Sequence, residues 1–294
     1  MNSAGQSSLS VSVAILTWNR REYVLRAVES VYSQTYKPCE VVVVDSDSND
    51  GTIESIALQF PSVKLVRLHR NMGCPEGRNI ALANCHGDII FSLDDDAFLA
   101  SDVLDLCVQR MVANDGIGVV TCKILDPNEA PSSKEADYFR TAFDGGACAF
   151  RKSALRSAGY YPHDFFRQAE EGDLGLRLIE NGYEILACPQ AIVYHAKAPI
   201  NRDQRLFLFY SVRNELYTVL RQYPWILVGP AVLYKMFVWN MAGLRKLAFV
   251  HTVLGTLAAL VRAPRLLCER KAVSINTVRN LLSLKAKARQ SSCP

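Results

Sequence analysis

Gly87-Asp88-Ile89-Ile90-Phe91-Ser92-Leu93-Asp94-Asp95-Asp96 is the stretch whose reading decides the fold. Ile89, Ile90, Phe91 and Leu93 form an apolar run of strand length, and three carboxylates follow at its C-terminal end. Like charges this close repel unless protons or cations neutralise them. In an open α/β sheet, ligands bind just outside the carboxyl ends of the strands. A divalent cation shared with a phosphorylated substrate resolves the repulsion, because hard cations take oxygen ligands and share phosphate oxygens with the protein. The competing reading is a polar turn that caps the helix expected from Asp102 onward.

Upstream of this stretch the pattern repeats. Val11–Leu16 reads as a strand ending in Thr17-Trp18-Asn19-Arg20, and Arg21–Gln34 as a helix with Val24, Leu25, Val28, Val31 and Tyr32 on one face. Glu40-Val41-Val42-Val43-Val44 is β-branched and uninterrupted, as suits a strand buried on both faces. It ends at the polar turn Asp45–Thr52 before a helix over 52–59. Val63–Leu68 is a third strand, and Asn71–Asn79 opens another helix. This alternation predicts an α/β fold: a doubly wound, mainly parallel sheet with helices on both faces. Asp45 and the triplet end two neighbouring strands, so they are expected to converge on one crevice.

Downstream, a helix over 102–113, a strand Gly118–Lys123, a polar loop over 126–141 and a short helix from Ser153 are expected. Glu170-Glu171-Gly172-Asp173 starts a helix stopped by Asn181-Gly182, and two short strands, Tyr183–Ala187 and Ala191–Tyr194, lead to His195. From Arg202 the texture becomes apolar and basic. Trp225–Leu244 is twenty residues with one charge, Lys235, long enough to span a bilayer, although Pro230, Asn240 and Arg245-Lys246 argue against a clean span. A last helix near 269–289 sets Ala272, Ile275, Val278 and Leu282 on one face and Arg270, Lys271, Arg279, Lys285, Lys287 and Arg289 elsewhere. Such a helix lies on an anionic membrane surface, or forms a helical subdomain or dimer interface with a solvated basic face.

Charge divides the chain the same way. Residues 1–200 carry 18 Lys and Arg against 26 Asp and Glu, and residues 201–294 carry 15 against 3. An acidic front suits metal or phosphate chemistry, and a basic tail suits an anionic partner. The expected organisation is a disordered tail over 1–10, a catalytic domain over 11–200 and a helical extension over 201–294. Nine scattered cysteines without a C-x-x-C pair indicate reduced thiols in a cytosolic setting, and exclude a zinc site or disulfide frame. The polar, uncharged start lacks a signal-peptide profile. Nucleic acid is not an expected partner, and the sequence leaves the oligomeric state open.

Asp45-Ser46-Asp47 after four valines also resembles the nucleophile motif of haloacid-dehalogenase-type phosphatases. That fold carries its nucleophile on the first strand, whereas a complete strand-helix unit comes earlier here. A dehydrogenase reading fails because no G-x-G-x-x-G follows the first strand, and there is no P-loop. A third reading is a catalytically inactive glycan-binding scaffold.

The order of motifs resembles the inverting family-two glycosyltransferases of the GT-A fold over roughly residues 11–197. Thr17-Trp18-Asn19-Arg20 looks like their opening T-Y-N-R, and Ser30–Thr35 like S-x-x-x-Q-T. Asp45–Thr52 is similar to D-N-G-S-T-D-G-T, departing at Asp47 where glycine is usual. Asn71-x-Gly73-x-x-x-Gly77-Arg78-Asn79 resembles N-x-G-x-x-x-A-R-N, and Leu93–Asp96 the D-x-D strand. Gly145-Gly146 with Arg151–Gly159 looks like the acceptor-side segment, and Glu170-Glu171-Gly172-Asp173-Leu174-x-x-Arg177 like E-D-x-D-L-x-x-R. Each motif is weak alone, and their shared order carries the resemblance.

The resemblance implies a metal-dependent transferase that moves a sugar from a UDP- or dTDP-sugar to a hydroxyl of a glycan or lipid-linked acceptor, with Mg2+ or Mn2+ as cofactor. Its donor site would comprise Thr17, Asn19, Arg20, Asp45, Asp47, Arg78, Asp94, Asp95 and Arg177, the last either facing the diphosphate or pairing with an acid on its own helix. The metal would be held by Asp96, with Asp94 and the late histidine His195. The general base falls on Glu171, with Glu170 and Asp173 as alternatives. Tyr210-x-x-Arg213-Asn214 and Tyr223-Pro224 resemble the extension of bacterial surface-polysaccharide enzymes, including rhamnosyltransferase-like ones, which implies work at the cytoplasmic face of the membrane.

Overall fold

The four valines of Glu40–Asp45 alternate between two hydrophobic cores. Val41 and Val43 pack into one with Val24, Val28, Val31, Leu104 and Met111, and Val42 and Val44 into the other with Ala81, Leu82, Leu174 and Leu178. A strand covered on both faces has no solvent side to keep polar, which is why the run is unbroken. The computed structural model describes residues 9–130, 135–196 and 203–291, with side chains through Ser283 in the last helix. Residues 1–8 of the tail expected over 1–10, the 200/201 domain boundary and the side chains of Lys285, Lys287 and Arg289 lie outside the described residues.

The elements are β1 Val11–Thr17, α1 Arg21–Tyr32, β2 Glu40–Asp45, α2 Thr52–Gln59, β3 Lys64–Arg67, α3 Cys74–Ala83, β4 Ile89–Asp94, β5 Ala97–Leu99, α4 Val103–Ala113, β6 Ile117–Leu125, β7 Tyr138–Arg140, β8 Ala147–Arg151, α5 Lys152–Ala158, α6 Glu170–Glu180 and β9 Glu184–His195. Four helices follow: α7 Gln204–Gln222, α8 Trp225–Arg245, α9 Phe249–Cys268 and α10 Ile275–Ser291. The sheet order is β3-β2-β1-β4-β8-β6-β9-β5, with β7 also on β9. Strands β1 to β4 pair in parallel, as do β6 and β9, while β8, β5 and β7 run antiparallel to their neighbours. The result is the expected mainly parallel α/β sheet with helices on both faces, followed by a helical extension. Register aligns Thr17 with Asp45 and Leu16 with Asp94, so three strand ends open on one edge.

The strands that end in Asp45 and in the triplet, expected to be neighbours, are separated by β1, and three further local expectations need correction. The two strands expected over 183–194 are one strand, β9, paired with β6 along its length. The register jumps from Cys122↔Cys188 to Lys123↔Ile192, so Pro189, Gln190 and Ala191 are looped out, and proline, with no N–H to give, is tolerated at such an irregularity. The polar loop over 126–141 contains β7. The triplet does not cap the next helix: β5 intervenes, α4 begins at Val103, and Asp102 makes no side-chain cap.

The extension has a core of Val212, Leu216, Tyr217, Leu220, Ala259 and Leu266, which Phe165 of the sheet domain joins. Val273, just ahead of α10, and Val278 and Leu281 of α10 pack against Leu176 of α6, so the extension packs onto the sheet domain. The outer surface of α8 and α9 stays bare: Ile226, Leu233, Phe237, Val250 and Val261 are each at least 64% exposed. Among the described residues, α8 alone is long and apolar enough to cross a membrane.

Candidate active site

The two strand ends at the centre of the edge carry unsatisfied polar atoms. Thr17 Oγ1 and Asp45 Oδ1 are buried without a hydrogen-bond partner, while Asp45 Oδ2 accepts from the Ser48 amide at 2.9 Å. Buried polar atoms are normally satisfied, so an unpaired couple at one register position points to a ligand. Asn19 ties the two loops that follow: its amide donates to Ser48 Oγ, and its side-chain oxygen accepts from Asn49 N. Asp47 is exposed and left-handed at φ 67°, a conformation that glycine takes freely and aspartate tolerates. Asp47 is therefore a turn residue.

Past β4, the triplet splits into three roles. Asp95 is buried against Arg20 at 2.7 Å, and burial pushes its carboxyl up to about 6 against the opposing pull of Arg20. Asp96, also buried, lies 3.2 Å from Arg20 and 2.8 Å from His195 Nε2. Asp94 is the most open of the three, 36% exposed, with its Oδ2 at 4.0 Å from His195. Asp94, Asp96 and His195 each turn one ligand atom to a common point, all within 4.8 Å of one another. Two carboxylate oxygens and one imidazole suit Mg2+ or Mn2+ with open positions for phosphate. Backbone pairing makes the triad: Ala97 lies opposite His195, and Ala196 N donates to Asp96 O.

Arg78 of α3 links the triad to the acid pair of α6. One guanidinium nitrogen donates to Asp94 Oδ1 at 2.7 Å, and the other to Glu171 Oε1 at 3.3 Å, with Glu170 Oε1 at 3.6 Å. Glu171 is 26% exposed, whereas Glu170 is buried with Oε2 unpartnered. Burial raises both carboxyls, Glu170 to about 8, and for Glu171 Asp94 and Asp144 add to the burial against the pull of Arg78. Five carboxylates (Asp94, Asp95, Asp96, Glu170, Glu171) thus face two guanidiniums (Arg20, Arg78), leaving a negative excess for a cation. Gly145 and Gly146 leave room for them. A Cβ on Gly145 would come within 2.7 Å of both Arg78 and Glu171, and one on Gly146 would collide with the Asp94 carboxylate.

The glycosyl transferase family 2 model matches residues 12–157, which hold all of this edge except α6 and His195. The chain carries a family-two glycosyltransferase domain. It is 29% identical over 231 residues to the putative glycosyltransferase EpsE of Bacillus subtilis, covering 71% of this chain and 81% of that one. Of seven other curated relatives, the chain spans less than half the length of each. In fold it is similar to the S. aureus TarS fragment 1-349 crystallised with UDP-GlcNAc, with a TM-score of 0.65 at 18% identity over 89% of this chain and 84% of that one. It also resembles the mannosyltransferase PcManGT of Pyrobaculum calidifontis in complex with GDP-Man and Mn2+, with a TM-score of 0.60 at 20% identity over 96% and 81%. The phosphatase reading of Asp45 and Asp47 is overturned.

Two of the expected site residues of this domain lie outside the cluster. Asp173 is 1% exposed and faces away: Oδ1 accepts from Arg177 at 2.9 Å, and Oδ2 from Thr218 of α7 at 2.9 Å. Arg177 spends its remaining donors on the carbonyls of Ala158, Gly159 and Tyr160, so it pairs with the acid on its own helix and braces a turn. Its place in the motif left this and the diphosphate-facing reading both open, because i,i+4 spacing fits either orientation. Asn79 and Tyr161 are residues that the sequence reading missed. Asn79 exchanges hydrogen bonds with the Tyr161 backbone at 2.9 Å each way, and Tyr161 Oη is buried without a partner. Gln34, from S-x-x-x-Q-T, is a structural pin: it donates to Ala100 O and accepts from Leu104 N, fixing the segment after the triplet.

Proposed function

We propose that this glycosyltransferase moves a sugar from a UDP- or dTDP-sugar to a hydroxyl of a glycan or lipid-linked acceptor, with inversion at the anomeric carbon, in cell-surface polysaccharide synthesis. The observation that carries the reading is Arg78, which joins Asp94 of the metal triad to Glu171 across a single guanidinium. Inversion in one displacement needs a base on one side of the anomeric carbon and a stabilised leaving group on the other. Glu171, part-exposed and held by Arg78, takes the proton of the acceptor hydroxyl, and Glu170 is too enclosed to meet an acceptor. Asp94, Asp96 and His195 would hold Mg2+ or Mn2+, which supplies a positive charge for the departing diphosphate. Thr17 and Asp45 offer their unpaired oxygens to the nucleoside. Arg20 keeps Asp95 and Asp96 in place from behind.

The reading extends to the membrane. The outward stripes of α8 and α9 are apolar, and the extension around them is strongly basic, so an anionic lipid surface suits it better than a second copy of the same basic extension. Helix α8 lies in the plane of that surface. A spanning pose would carry its Lys235–Glu215 pair at 2.6 Å, and the Trp239 bond to the same Glu215, into hydrocarbon. All eight described cysteines are free thiols, in keeping with the cytoplasmic side.

The deciding experiment pairs binding with turnover. Glu171→Gln should keep the Mn2+-dependent thermal shift given by UDP or dTDP and lower transfer from a panel of nucleotide sugars by about 10²–10⁴-fold. Normal transfer by this variant would remove Glu171 as base, and a thermal shift given by GDP alone would replace the donor class.

A further inference from the structure

The helix that carries the acid pair begins on an unusual piece of backbone. Gln168 and Ala169, the two residues before Glu170, both sit in the left-handed region, at φ 71° and 66°, where neither residue type is at ease. Ala169 is the residue flanking α6, and its side chain offers no cap. Two consecutive strained residues persist only where their surroundings hold them.

The hold comes from the extension. Asn214 of α7 is fully buried, and its side-chain nitrogen donates to Arg167 O at 2.7 Å and Gln168 O at 2.8 Å. Its side-chain oxygen accepts from Arg213 Nε at 2.8 Å, so acceptors face the amide nitrogen and a donor faces the oxygen, which fixes the amide's orientation. Arg213 also reaches Asp164 O and stacks over the Tyr210 and Tyr217 rings. From the other side, Cys74 N of α3 donates to Phe166 O, and Gly73 leaves the space that Phe166 fills. One turn into α6, Thr218 holds Asp173. The loop over 164–169 is thus gripped between α7 and the start of α3, the helix that supplies Arg78.

We infer that Asn214 is a positioning residue for transfer: by holding the left-handed pair Gln168-Ala169, it sets the direction in which Glu171 leaves the first turn of α6. The inference rests on Glu171 being the base. It makes the extension a part of the catalytic apparatus, with the Tyr210-x-x-Arg213-Asn214 segment as the contact. Without the two hydrogen bonds the loop relaxes toward ordinary backbone angles, and α6 starts in a different direction. The donor edge, built from β1, β2 and β4, is untouched.

Asn214→Ala, measured in the full chain, should lower kcat for transfer about 100-fold, because misplacing a reacting group by about 1 Å costs that much. The donor KM should stay within about 2-fold, with the Mn2+–UDP thermal shift kept. Glycine takes left-handed angles without strain, so Gln168→Gly with Ala169→Gly in the Asn214→Ala background should return about 10-fold of the lost kcat. That triple variant also tests the idea if Asn214→Ala alone fails to fold. Unchanged kcat in Asn214→Ala, a matching loss of donor binding, or no recovery on adding the glycines would overturn it. Glu171→Gln run in parallel separates the two readings: a dead Glu171→Gln beside a fully active Asn214→Ala rejects the positioning role alone, and an active Glu171→Gln rejects the base itself.

Discussion

The carboxyl edge of the sheet and the outer face of the extension are both unfinished surfaces, but of opposite kinds. At the edge, charge is left over: five carboxylates meet two guanidiniums, and Thr17, Asp45 and Glu170 keep buried oxygens without partners. On α8, Lys235 and Trp239 both turn inward to Glu215, and along α8 and α9 apolar side chains are left over instead. Excess buried charge asks for a cation and a phosphate, whereas excess apolar surface asks for something that excludes water. The two regions meet at α7, which packs under α8 and α9 and holds the start of α6.

If that division is right, damage to one surface leaves the other working. Asp96→Ala should erase the metal-linked response to nucleotide: a ligand at 100 times its Kd stabilises by about 2.7 kcal/mol, roughly 4–5 °C in a chain of this size, and the shift should vanish in a thermal melt with Mn2+ and UDP. Vesicle association should be unchanged in this variant. Leu233→Glu with Phe237→Glu should do the reverse, lowering partition to phosphatidylglycerol-containing vesicles about 100-fold or more in a sedimentation assay while the nucleotide-linked shift stays. If this double variant remains on vesicles as before, the outer face of α8 is not the contact.

A smaller effect tests the seam between the regions. Glu180 of α6 accepts from Ser274 N ahead of α10 at 2.9 Å. Partial burial pushes its carboxyl up, but hydrogen bonds from Thr277 and Ser274 outweigh this and hold it below its ordinary value. A carboxyl lowered by folding stabilises above its unfolded pKa, and that contribution is lost as pH falls through the folded one. Glu180→Gln should therefore lower Tm by about 1–2 °C at pH 7, and the gap between the two proteins should begin to close below roughly pH 4.3 and vanish once the folded carboxyl is itself protonated.

Much of the sheet domain was legible because its signals are local. The valine run, the polar turn after Asp45 and the acids after Leu93 each follow from strand period and from where ligands bind in such sheets. The misread pieces depend on distant partners. Strand β5 is three residues long and exists because β9 pairs with it and Gln34 pins the backbone behind it. Strand β9 is continuous across Pro189 because β6 is there to pair with on both sides. Asp173 and Arg177 sat in the right motif, but only packing against Thr218 and the 158–160 turn turned them away from the site.

By itself the sequence determined the alternation of strands and helices from β1 to β4, the acidic end of the sheet and the apolar, basic character of the tail. These properties need only neighbours a few residues apart. Which acids would act together was decided by tertiary structure. His195 reaches Asp96 through sheet register, Arg78 spans from Asp94 to Glu171, and Asn214 holds the backbone ahead of α6. Each of these contacts joins side chains on separate elements, where direction depends on how the elements pack and no sequence period records it.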